Sequence, residues 1–171
     1  MERRSLDALA RALESANARY LIVGGMAVVA HGYVRLTVDL DIVLDPEPAA
    51  LARALEALSN LGYRPRAPVP IEAFADAEHR KRWASETGLA VFSLFSPEHN
   101  RTELDLFLEC PFDFEQAFAH AFLGRMESGT PLTFVSKADL IALKRAAGRP
   151  RDLLDIEKLE AIPPAPEVSG E

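Results

Sequence analysis

Residues 38–44 read Val-Asp-Leu-Asp-Ile-Val-Leu, and no other stretch limits the fold as tightly. Apart from Asp39 and Asp41 it is apolar and partly β-branched, and it closes on Asp45-Pro46, so it predicts a strand that ends in a turn. Side chains alternate along a strand. Asp39 and Asp41 therefore share one face, while Leu40 and Ile42 point the other way, into a core. Two like charges side by side on a strand face repel. A solvated sheet edge relieves that repulsion; so does a divalent cation, because carboxylate oxygens suit Mg²⁺ or Mn²⁺. The Asp-x-Asp spacing alone leaves both readings open.

The flanking pattern alternates helix and strand. Leu6, Leu9, Ala10 and Leu13 recur at helical spacing and predict a helix over 5–16, with Ser5 as its N-cap. Residues 20–23 form a short buried strand that runs into Gly24-Gly25. Residues 26–31 predict a short helix stopped by Gly32, and 49–61 a longer one closed by Gly62. Three prolines make 64–70 a loop, and 71–86 read as a polar helix. Residues 89–95 and 103–109 predict paired strands around a turn at 97–100. Residues 112–122 predict a helix, 132–135 a last strand, and Ser136 caps a helix over 137–147 that stops at Gly148. Pro150 opens a final helix over 151–161.

This order predicts an α+β fold: a mixed-sheet core flanked by helices, with a C-terminal helical pair. One domain is expected over 1–161, its core about 18–110 and a helical part about 112–161. The Pro-rich, acidic tail 162–171 has little to bury and is expected to be disordered.

Bulk properties narrow the function classes. A net charge of −7 argues against a large electrostatic footprint for nucleic acid, though not against a local basic groove. A single cysteine, Cys110, excludes an internal disulfide and reads as a small apolar filler. No apolar run nears the roughly 18 residues of a membrane span, and residues 1–15 lack the apolar stretch of a secretion signal. Cytoplasm is the expected compartment.

Further residues join the two aspartates. Glu103 and Asp105 share one face of their strand, and either one brings a third carboxylate; Asp105, deeper in the strand, is the better candidate. Gly24-Gly25, between a strand and a helix, let backbone N–H groups approach a phosphate closely. Lys144 falls in the middle of the apolar arc formed by Leu140, Ile141, Leu143 and Ala147, where an ammonium needs an anion or a route to solvent. Asp152 or Asp155, one turn apart, could pair with it, and so could a triphosphate. Arg35, in the loop before the Asp-x-Asp strand, could neutralise a phosphate. His31 reads as packed at a helix end. Residues 79–82, His-Arg-Lys-Arg, read as a solvated helix face, and Trp83 as core.

The stretch YLIVGGMAVVAHGYVRLTVDLDIVL over 20–44 closely resembles the nucleotidyltransferase superfamily of the polymerase-β type, and SKADLIALKRAAGRPRDLLDIEKL over 136–159 is similar to its minimal bacterial branch, which includes abortive-infection toxins. The resemblance implies that Gly24 and Gly25 bind triphosphate, that Asp39 and Asp41 bind Mg²⁺ or Mn²⁺, and that Asp105 completes the site. It also implies that Lys144 and Asp152 line the nucleotide pocket. The implied reaction moves NMP from an NTP such as ATP to a hydroxyl of an RNA 3′ end, a protein or a small molecule, with Asp105 as general base. In a toxin, an antitoxin protein would be a partner. Met26 departs from the serine many members carry near the glycine pair, so phosphate contact there rests on backbone N–H groups. The competing readings are a non-catalytic NTP- or partner-binding module on the same fold, and a metal nuclease, in which Gly24-Gly25 and Lys144 have no role.

Overall fold

The computed structural model describes residues 2–163. It is an α+β fold built on one seven-stranded mixed sheet. The strands are β1 (Tyr20–Ile22), β2 (Asp39–Leu44), β3 (Arg64–Pro65), β4 (Val91–Phe95), β5 (Glu103–Phe107), β6 (Phe122–Arg125) and β7 (Pro131–Phe134), in the spatial order β3-β4-β5-β2-β1-β7-β6. The β2–β5 and β1–β7 pairs are parallel and the other pairs antiparallel. The helices are α1 (Arg3–Ser15), α2 (Gly24–Ala30), α3 (Pro48–Asn60), α4 (Ala77–Thr87), α5 (Phe114–Ala119), α6 (Lys137–Ala147) and α7 (Pro150–Ala161). No helix of the described residues is long and apolar enough to cross a membrane.

Strand register explains how the sheet divides its two faces. Leu40 pairs with Leu104 and Ile42 with Leu106, and β4 adds Leu94 and Phe92 to the same rows. All six are buried, so this face is the core. α1 and α3 pack together and bury Leu6, Leu9 and Leu13 with Leu51, Leu55 and Leu58. Polar side chains of β2 and β5 are thereby left on the opposite face, beside which α6 and α7 form the expected C-terminal pair.

Several boundaries differ from the sequence reading. α1 starts at Arg3 after Glu2, so Ser5 does not cap it; Ser5 is buried within the helix and its hydroxyl meets His99 Nδ1 at 3.0 Å. α2 begins at Gly24 itself rather than at Met26. The 64–70 loop contributes the edge strand β3, and 71–86 splits into a 3₁₀ turn (Ile71–Ala75) and α4, with the Asp76 side chain capping α4. The helix expected over 112–122 ends at Ala119, and Phe122 opens β6 instead. Gly124 permits that strand, since a Cβ there would lie 2.8 Å from the Phe134 ring. The stretch 112–161, expected to be helical apart from residues 132–135, thus places two strands in the common sheet. Of the tail expected to be disordered, 164–171 lie outside the described residues; Ile162 packs near Gly32, and its carbonyl accepts from Lys137 Nζ.

Candidate active site

The polar face of β4, β5 and β2 carries its residues in rows. Ser93 stands opposite Asp105, and Asp105 opposite Asp41, so these three lie side by side across neighbouring strands. On one side lies the row of Glu103 and Asp39, and on the other the apolar row of Val91 and Phe107. Asp39, Asp41 and Asp105 therefore share a face, as alternation requires. The Ser93 hydroxyl donates to Asp105 Oδ1 at 2.6 Å, which orients that carboxylate. Glu103, the alternative third acid, is paired with Arg66. Ser93 escaped the sequence reading, although its place between Phe92 and Leu94 puts it on the polar face by the same alternation.

Gly24 and Gly25 sit against this row. Gly24 has φ +59°, and a Cβ on it would lie 1.8 Å from Asp41 Oδ2. A Cβ on Gly25 would lie 2.3 Å from Thr37 Oγ1. The pair is thus required by the close approach of Asp41 and of the loop 31–38. The Gly25 backbone N–H is turned onto the Asp41 carboxylate and favours its ionised form. Gly24→Ala combines a left-handed backbone cost of about 1–2 kcal/mol with displacement of Asp41. It should lower both melting temperature and turnover, the latter about 100-fold if the carboxylate moves by an ångström; thermal unfolding and single-substrate kinetics on one preparation check both.

Helices α6 and α7 bring an ion network to the rim. Lys144 is 5% exposed, and its Nζ lies 3.1 Å from Asp152 Oδ1 and 2.8 Å from Asp155 Oδ2. Lys144 therefore does not snorkel. Arg35 donates to Asp155 twice, from Nε at 2.8 Å and Nη2 at 2.9 Å, and Arg149 Nε donates to Asp152 at 2.6 Å. Burial opposes the Asp152 carboxylate, yet hydrogen bonds from Arg149 and Lys144 outweigh it and hold its pKa below the ordinary value. Arg35 reaches the site through this network and also anchors the loop 31–38. Arg35 and Thr37 of that loop line the site cavity together with the exposed Leu36 and Val38, while the exposed Val34 does not. Arg149 and Arg151, which the sequence reading left without a role, line the same cavity.

Burial and the nearby charge of Asp105 push Asp41 up to about 6, with Asp39 adding to the rise and Lys144 opposing it. Asp39 is raised by burial and by Asp105 and Glu103. Among the described residues no group of three or more His, Cys, Asp or Glu side chains is drawn together as a ready ligand shell for a metal ion. The donor chemistry nevertheless suits a hard cation, because burial and neighbouring negative charge raise Asp39 and Asp41 and a positive charge beside them opposes that rise. In linkage terms, the folded chain holds the Asp41 proton more tightly than the unfolded chain. Its stability therefore falls as pH rises from about 4 to about 6. Metal-free Asp41→Asn should be more stable than the parent at pH 7 by about 1–2 kcal/mol after allowance for solvent screening, with the gap closing towards pH 4; urea unfolding in EDTA at both pH values measures it.

No protein-family model matches the sequence, and no curated protein matches it significantly. Solved structures do match. The lincosamide antibiotic adenylyltransferase LnuA, bound to lincomycin, superposes with a TM-score of 0.61 at 16% identity over 95% of this chain and 99% of that one. An antigenic nucleotidyltransferase-like protein from Paracoccidioides brasiliensis gives 0.61 at 19% over 96% and 78%. The antibiotic-resistance factor ANT(2'')-Ia gives 0.53 at 16% over 92% and 81%. The chain has the nucleotidyltransferase fold. Within that fold the three acidic positions lie on adjacent parallel strands, β2 and β5, and Lys144 comes from the helix that follows β7.

The remaining sequence candidates do not line this site. His31 Nε2 meets the Val135 carbonyl at 2.8 Å, and burial lowers its pKa. Of the 79–82 run, Arg80 turns inward, donating to the Phe74 carbonyl and covering the Phe74 ring. Trp83 stacks on Phe92 at 5.2 Å. Cys110 is half-buried and donates to the Phe112 carbonyl.

Proposed function

We propose that the chain is a metal-dependent nucleotidyltransferase that moves NMP from an NTP, ATP among them, to a hydroxyl of a small-molecule acceptor. The observation that carries this reading is the in-register pair Asp41 and Asp105 beside Lys144, Arg35 and Arg149. Anionic groups meet cationic ones there at the scale of a triphosphate. Asp39, Asp41 and Asp105 would hold Mg²⁺ or Mn²⁺, and when bound such an ion offsets phosphate charge during transfer. Asp105, held by Ser93, is positioned to take the acceptor proton. Arg149 and Arg151 bring further positive charge to the phosphate side, beside the backbone of Gly24 and Gly25. Asp152 keeps Lys144 and Arg149 in place.

The LnuA structure contains lincomycin and ANT(2'')-Ia is an antibiotic-resistance factor, which favours small acceptors on this fold. The inward turn of Arg80 takes a cation away from the one dense basic run, which further weakens an RNA acceptor and with it the toxin reading. A reducing, cytoplasmic setting suits both the NTP and a single cysteine. The deciding experiment supplies each α-³²P-NTP with Mg²⁺ to the full chain, together with lincomycin, kanamycin, casein or total tRNA. Label is expected on a small molecule and absent in EDTA. Label on tRNA alone would overturn the acceptor class, and the absence of label and of NTP binding would overturn the enzyme.

A further inference from the structure

We infer that the apolar lobe beside Asp105 is the acceptor subsite, and that the acceptor is a hydroxyl compound with an apolar face. This rests on the nucleotidyltransferase reading above and names the substrate class it leaves open. Two cavities of about 400 and about 430 Å³ meet at Gly24, Asp41, Asp105, Lys144, Arg149 and Asp152. Beyond that shared waist their chemistry diverges. One continues past Arg35, Thr37, Asp39 and Arg151, with Leu36 and Val38 also in its wall, and so carries all the charge outside the waist. The other continues past Val91, Phe107, Leu140, Leu143 and Ala147 and has no further charged residue in its wall. The divergence follows the rows of the sheet, with Glu103 and Asp39 on one side of the Asp105–Asp41 row and Val91 and Phe107 on the other.

Transfer geometry assigns the lobes. The acceptor oxygen and the departing pyrophosphate lie roughly in line on opposite sides of the α-phosphorus. Pyrophosphate, the most highly charged group, belongs in the lobe with Arg35 and Arg151. With phosphorus over the Asp41–Asp105 waist, the acceptor then approaches from the Val91–Leu143 side. Its oxygen forms a bond to phosphorus, the bond to pyrophosphate breaks, and pyrophosphate leaves with the electron pair. The hydroxyl proton passes to Asp105, which lines both lobes. A cavity of about 400 Å³ falls within the roughly 300–1,000 Å³ usual for small molecules. Beyond the carboxylates of the waist, its apolar wall would leave the further amines of a polycationic acceptor without partners.

The test uses the full chain with ¹³C-labelled Ile, Leu and Val methyls, the nucleotide analogue AMPCPP with Mg²⁺, and n-octyl β-D-glucoside below its micelle concentration as a neutral hydroxyl-bearing apolar probe. With AMPCPP saturating, the probe is expected to shift the Val91, Leu140 and Leu143 methyls. Ala147→Phe, at an exposed position, should weaken the probe about tenfold or more by filling the lobe, while the Kd for AMPCPP stays within about twofold, too small a change to signal a lost contact. Cross-relaxation from nucleobase protons to those methyls would assign the lobe to the base and overturn the inference. So would AMPCPP binding with no probe shift. No AMPCPP binding at all would instead sink the nucleotidyltransferase reading, and this assignment with it.

Discussion

Asp41→Ala is expected to lower the proposed NMP transfer about a thousandfold or more, the scale that follows removal of a preorganised electrostatic contact from such a site. Asp41 sits at the centre of the site: in register with Asp105, against Gly24, and held by the Gly25 N–H. Its burial and the neighbouring Asp105 raise its pKa to about 6, so its ionised form is kept at a cost to stability. The substitution should therefore leave the metal-free fold at least as stable as the parent. That combination separates a functional carboxylate from a structural one. Rates with saturating α-³²P-NTP and unfolding by urea, measured on one preparation, decide it. Full transfer by the variant, or loss of transfer with loss of folding, removes Asp41 from the chemistry.

Lys144→Ala should destabilise the chain by about 3 kcal/mol, because removing one member of a buried ion cluster strands the others. Lys144 lies between Asp152 and Asp155, both buried, and Asp155 has no exposed surface. Arg35 still meets Asp155 and Arg149 still meets Asp152, which keeps the loss at the lower end of the usual range. For a chain of this size, that corresponds to a fall in Tm of about 6–12 °C. Loss of transfer in this variant is then expected but does not by itself identify a nucleotide contact. Lys144→Met keeps the apolar stem, and calorimetric AMPCPP binding at a temperature where both proteins are folded isolates the contact. Unchanged Tm and unchanged nucleotide Kd together would refute the role of Lys144 in both the network and the pocket.

Much of this site could be read along the chain, because alternation is a local property. The shared face of Asp39 and Asp41, the turn at Gly24-Gly25, the cap at Ser136 and the apolar arc around Lys144 all follow from residues within one element. Errors arose where a local signal met a non-local constraint. Phe122 extends an apolar helical pattern, but pairing with Phe134 draws it into a strand. Ser5 is a good cap by type, yet the helix begins earlier and buries it against His99. The two glycines read as room for a phosphate; folded, they first make room for Asp41 and Thr37.

The pattern of apolar and charged residues was sufficient to determine an α+β sheet with carboxylates on one face of two strands, since backbone geometry alone dictates which side chains share a face. It could not determine that Asp41 meets Asp105, that Ser93 holds Asp105, or that Arg35 reaches Asp155. Those contacts join residues 12 to 120 positions apart. They depend on strand order and helix docking, which are settled by burying the whole core at once rather than by any one segment's preference.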